Sequence, residues 1–115
     1  MIKLNLSGHP NAHLDAMGFV NPGALHVDLA DPQLSDKLIR FLQPLVGDHD
    51  QVVVALPGLA PLATLVVTIL HGLTGNFPVI QPLVRGDNGF VPADPIDLNL
   101  VRQQARCART NAIIL

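Results

Sequence analysis

At 115 residues, with 49% hydrophobic and 14% charged side chains, the chain is long enough for one domain with a buried core and low in charge for one. A net charge of −2 excludes a global basic field of the kind that holds long duplex nucleic acid, but leaves room for a small anion gripped by local donors. The single cysteine, Cys107, excludes an internal disulfide and a cysteine-built zinc site, and reads as a small buried residue rather than a nucleophile.

Ile2–Leu6 reads as a short strand, ending in the turn Ser7-Gly8-His9-Pro10-Asn11, which opens a short helix through Gly18. Ala24–Leu29 is expected as a second strand. Asp31-Pro32 then carries a helix-start signature, an aspartate cap followed by proline in the first turn. Leu34, Leu38, Ile39, Phe41, Leu42 and Leu45 supply that helix with an apolar stripe, while Lys37 and Arg40 face away. Gln51–Leu56 is a near-continuous apolar run, as in a strand buried on both faces. Pro57-Gly58 breaks it, and Ala60–Leu73 follows as a helix apolar around most of its circumference. Such a helix is expected to be buried on both sides, with a second subunit covering the outer one. Phe77–Val84 reads as a strand, Arg85–Gly89 as an exposed loop, Phe90–Ile96 as an edge strand and Asp97–Arg109 as a last helix. Strands alternating with helices imply a single α/β domain over residues 1–115, a small Rossmann-like three-layer fold with a mainly parallel sheet.

Pro57, Gly58 and Pro61 interrupt the longest apolar run before it reaches the length of a membrane span. Met1-Ile2-Lys3-Leu4 lacks the regions of a signal peptide, so the expectation is a soluble, cytoplasmic protein.

The turns after Leu6 and Leu56 are expected side by side at the carboxyl ends of neighbouring parallel strands, where α/β domains hold ligands. The helix entry near Leu59–Leu62 has no Ser, Thr, Asp or Asn to satisfy its free amides. With Pro57 and Gly58 before it, that entry is either an anion site or a helix end closed by water or by the Gly58 backbone. Ser7 is either a capping serine or a donor to phosphate or a 2′-hydroxyl. His9 is either a loop histidine or a base-stacking or acid–base group. Arg102, Arg106 and Arg109 recur at helical spacing; with Arg85 they form either a solvated face or a phosphate clamp completed across a dimer, and Asn99 is placed to read an adenine edge. The His9 and His13 pair lacks a third ligand nearby, and no metal or cofactor is expected. No Walker loop, dinucleotide fingerprint, Ser–His–Asp order or paired catalytic carboxylates occur.

Three segments carry a resemblance. They are Leu4-Asn5-Leu6-Ser7-Gly8-His9-Pro10; Leu56-Pro57-Gly58-Leu59-Ala60-Pro61-Leu62-Ala63 with Leu70-His71-Gly72 and Gly75-Asn76-Phe77-Pro78-Val79-Ile80; and Asp97-Leu98-Asn99-Leu100-Val101-Arg102 with Ala105-Arg106. Together they resemble the Csx-fifteen family of small ancillary proteins from type III CRISPR loci. Gly8 stands between the family's serine and histidine, and Leu6 stands where the family has an aromatic residue. The resemblance implies a CRISPR-associated Rossmann-like fold that binds and sequesters cyclic tetra-adenylate, a second messenger of antiviral defence. The bound ring would sit between subunits of a homodimer or a larger assembly, held by Ser7, Gly8, His9, Pro57, Gly58 and Leu59, with Arg85, Asn99, Arg102 and Arg106 as clamps. The alternative activity is a metal-independent ring nuclease, in which Ser7 or His9 assists attack by a ribose 2′-hydroxyl. A third reading is an interaction protein whose apolar helix docks a partner.

Overall fold

A computed structural model describes the backbone of residues 1–114 and the side chains of residues 1–110. In chain order the first half comprises β1 (Ile2–Asn5), α1 (Ala12–Ala16), α2 (Leu34–Val46), β2 (Val52–Ala55) and α3 (Ala60–Thr74). The second half comprises β3 (Val79–Ile80), β4 (Leu83–Gly86), β5 (Gly89–Pro92), β6 (Ile96–Asp97) and α4 (Leu98–Ile114). The domain is α/β, with a mixed four-stranded sheet in the order β1-β2-β3-β6 and a separate hairpin of β4 and β5. The β1–β2 and β2–β3 pairs are parallel; β3–β6 is antiparallel.

The all-buried run of β2 divides its side chains between two cores. Val52 and Val54 join Leu4 and Leu6 beneath α2 and α3, which pack through Leu38, Leu42, Leu62, Val66 and Leu70. Val53 and Ala55 face the other way and meet Leu14 of α1 and Phe19. Strand order 1-2-3 with right-handed crossovers requires α2 and α3 to share one face. On the opposite face, the five-residue α1, the segment after it and Leu83 at the start of β4 pack against the sheet.

Several expected elements differ. Ala24–Leu29 forms no strand: Gly23, at φ +98°, turns the chain with its amide bonded to the Asn21 side chain, and the outer edge of β1 is bridged by Val20 instead. Leu25 and Val27 do alternate inward onto the first core, so the period of two is genuine but has no ladder. Asp31 caps no helix. Its carboxylate accepts from the Gln33 amide in a turn, and α2 begins at Leu34; Ile39 of the expected stripe is exposed. Phe77–Val84 is split because Pro82 has no N–H with which to continue the ladder after Gln81 bonds Val54 O. Arg85–Gly89 is the end of a hairpin, with Gly86 opposite Gly89, and Phe90–Ile96 divides between β5 and β6.

Helix α3 is buried through Leu62, Val66, Ile69 and Leu70, but its outer strip at Thr64 and Thr68 is exposed, so the described residues cover it on one side only. Both threonine hydroxyls donate to the helix's own carbonyls, at 2.8 Å each, which satisfies them at that surface. Helix α4 packs on β3 and β6 at its root and leaves every residue from Asn99 to Thr110 exposed. No helix among the described residues is long and apolar enough to cross a membrane.

Candidate ligand crevice

After β1 the chain turns to α1 on one face of the sheet; after β2 it turns to α3 on the other. These strands are hydrogen-bonded neighbours, with Asn5 opposite Ala55, so the two departures open a crevice between them at their carboxyl ends. Ser7, His9 and Gly58 line a cleft of about 640 Å³ walled by Pro10, Asn11 and Phe90. Gly8, Pro57 and Leu59 join Ser7, His9 and Gly58 around a second, adjoining hollow. All six corner residues expected from the sequence therefore meet at one place.

The turn is built on Asn5, which the sequence places in the opening motif without a role of its own. Asn5 is fully buried, on the face opposite Leu4 and Leu6. Its Nδ2 donates to the His9 carbonyl at 3.0 Å, and its Oδ1 accepts from the Ser7 amide at 3.1 Å and the Ser7 hydroxyl at 2.6 Å. The His9 amide in turn donates to Ser7 Oγ at 3.3 Å. Ser7 thus spends its hydroxyl proton within the turn, which makes it a scaffold rather than a free phosphate donor or proton carrier. Gly8 sits at φ +84°, a left-handed conformation that glycine adopts without penalty. The exposed His9 side chain is left facing the crevice rim.

Across the crevice, α3 begins without side-chain help. Its cap position is Leu59, no side chain bonds the first-turn amides, and no acid lies in that turn. Pro61 removes one of the free donors, and the remaining amides carry the positive end of the helix dipole. Among the described residues, no Asp, Lys or Arg lines either hollow.

The outer wall is the β4–β5 hairpin, of which the sequence predicts the tip, Arg85–Gly89, as a loop between two separate strands. Asn11 ties it on: its Oδ1 caps α1 by accepting from the Leu14 amide at 3.1 Å, and its Nδ2 donates to the Phe90 carbonyl at 3.1 Å. Buried Gln81 holds the hairpin root through Nε2 bonds to Ala93 O at 2.7 Å and Pro82 O at 3.2 Å. Phe90 is about half exposed (53%) on the crevice wall, and the Arg85 guanidinium lies 5.9 Å from its ring. Arg85 therefore stands beside the crevice, as a cation over the ring of a wall residue. A phenylalanine next to the glycine closing Gly86-Asp87-Asn88-Gly89 was the available signal for this wall.

Asn99, Arg102 and Arg106 are not part of the crevice of their own chain. β6 runs antiparallel to β3, so α4 starts at the opposite end of the sheet. Asn99 pairs with the backbone of Phe77, accepting from its amide and donating to its carbonyl, both at 3.3 Å. Arg102 and Arg106 share a separate groove on α4 with Gln103, Thr110 and Cys107, which is exposed rather than buried. No group of three metal-ligating side chains occurs among the described residues. Comparison with protein-family models, with curated proteins and with solved structures returned no match to this chain.

Proposed function

We propose that the protein is a receptor for a cyclic oligoadenylate, foremost cyclic tetra-adenylate, which it holds and sequesters in type III CRISPR antiviral signalling. The fold in this reading is a CRISPR-associated Rossmann-like domain. The observation that carries the proposal is the crevice itself: the uncapped α3 amino end faces the Ser7–His9 turn with no carboxylate among the described residues lining the space, although the chain contains nine aspartates. Backbone amides and a helix dipole suit phosphates without a basic surface. Phe90 and His9 at the wall, with Arg85 beside Phe90, suit adenine faces, which stack on aromatic and guanidinium planes.

A cleft of about 640 Å³ falls in the range for a ligand of one or two nucleotides, so a ring of four overhangs it. A symmetric ring resting half in one crevice and half in that of a second copy is the economical arrangement. The engagement of the Ser7 hydroxyl proton by Asn5 favours holding over cutting.

Excess protein incubated with labelled cyclic tetra-adenylate, then denatured and chromatographed, is expected to release the intact ring. Linear products would replace sequestration with a ring nuclease assisted by His9. Absence of binding at micromolar protein would overturn the reading altogether.

A further inference from the structure

Among the described residues, helix α4 meets the rest of the fold only at its root. Every residue from Asn99 to Thr110 is exposed, including Leu100 at 52% and Val101 at 45%. Even its first residue, Leu98, is only partly buried. The radius of gyration is 15.5 Å, against about 13 Å expected for a compact chain of this length, as a projecting rod requires. A lone helix of this length is marginal in water, because packing supplies most helical stability.

Its sequence is patterned for a partner. Leu98, Val101, Ala105 and Ala108 follow one another at steps of three, four and three, a narrow apolar seam along one side. The chain's charge is segregated about the same boundary. All nine aspartates precede α4, beside four of the seven cations, which leaves the body at −5. Arg102, Arg106 and Arg109 lie in α4 with no acid among them, which puts the helix at +3.

We propose that α4 is an exchanged arm, lying across the acidic body of a second copy of this chain while that copy's α4 lies across the first. Charge complementarity decides between this arrangement and two α4 helices paired with each other. Self-pairing sets three arginines against three; exchange sets them against a body of net negative charge. A helix about 25 Å long and 10 Å wide has a footprint of roughly 250 Å². Two exchanged arms, counting both surfaces of each contact, reach roughly 1,000 Å², where specific interfaces begin. The proposal does not depend on the ligand, so its failure and that of the receptor reading are separable.

Sedimentation equilibrium of the ligand-free full chain tests it, with far-UV circular dichroism confirming that each variant keeps its helix content. The wild type is expected to be a dimer that weakens as salt rises. Val101→Asp with Ala105→Asp, and separately Arg102→Gln with Arg106→Gln and Arg109→Gln, are each expected to weaken self-association roughly tenfold or more. All five positions are exposed, so neither variant disturbs the chain's own core. A monomeric wild type would overturn the proposal, as would a dimer indifferent to the seam variant. A dimer unchanged or tightened by neutralising the arginines would overturn it in favour of another contact, including arms paired with each other.

Discussion

Asn5→Asp isolates the device that shapes the crevice, because it exchanges one group of nearly equal size. The Oδ1 acceptor of the two Ser7 bonds is retained. The Nδ2 donor to His9 O is replaced by an oxygen, so two acceptors face each other at a separation that held a 3.0 Å bond. The introduced carboxyl is fully buried, and burial and the facing carbonyl raise its pKa against the opposing effect of the two Ser7 donors. Protonation restores a donor toward His9 O, and at pH 7 that protonation costs about 4 kcal/mol, at about 1.4 kcal/mol for each of roughly three pH units above an ordinary carboxyl pKa. This sets a ceiling, because the group neutralises before it bears a larger penalty. The expected loss of stability at pH 7 is about 2–4 kcal/mol relative to wild type, a large share of the roughly 5–15 kcal/mol typical of domains.

The sign of the pH dependence follows. A group whose folded pKa exceeds its unfolded pKa destabilises most at high pH and progressively less as the pH falls toward the unfolded value near 4. Urea unfolding of wild type and Asn5→Asp between pH 4.5 and 8 should show a gap that narrows on acidification. Each kcal/mol corresponds to about 4 °C in the melting temperature for a domain of this size. A variant as stable as wild type at pH 7, or a gap independent of pH, would refute the assignment of Asn5 Nδ2 as a buried donor to the turn.

Further outcomes follow from the same geometry. Gly58→Asp is expected to fold normally, since a Cβ there meets nothing within 4 Å. A carboxylate about 6 Å from a bound phosphate repels it by about 3 kcal/mol at an effective dielectric near 20, so affinity for cyclic tetra-adenylate, by calorimetry, should fall roughly a hundredfold. Phe90→Ala should weaken the same binding by about 1–3 kcal/mol through lost stacking, with little change in stability because the ring is half exposed. Gln81→Ala should destabilise the fold by about 1–3 kcal/mol by orphaning the Ala93 carbonyl. Its signature in hydrogen exchange is earlier opening of the β4–β5 hairpin than of β2.

The sequence by itself determined the central unit. The β-branched run at Val52–Ala55, the Pro57-Gly58 break and the cap-less start of α3 are local facts, and the corner they form stands where they put it. Local turn chemistry also carried the Ser7–His9 corner. Tertiary structure decided what local patterns leave open. Asn5, alternating with two leucines, reads as the solvent side of a strand, but β1 is covered on both faces and its other side became the buried anchor of the turn. The inward alternation of Leu25 and Val27 resembles a strand, yet becoming one needs a neighbour with free amides and carbonyls, and Val20 had already taken the edge of β1. The arginines of α4 were placed by spacing alone. Spacing tells which residues share a helix face and not where the helix goes, and the antiparallel entry of β6 sent this one to the far end of the sheet.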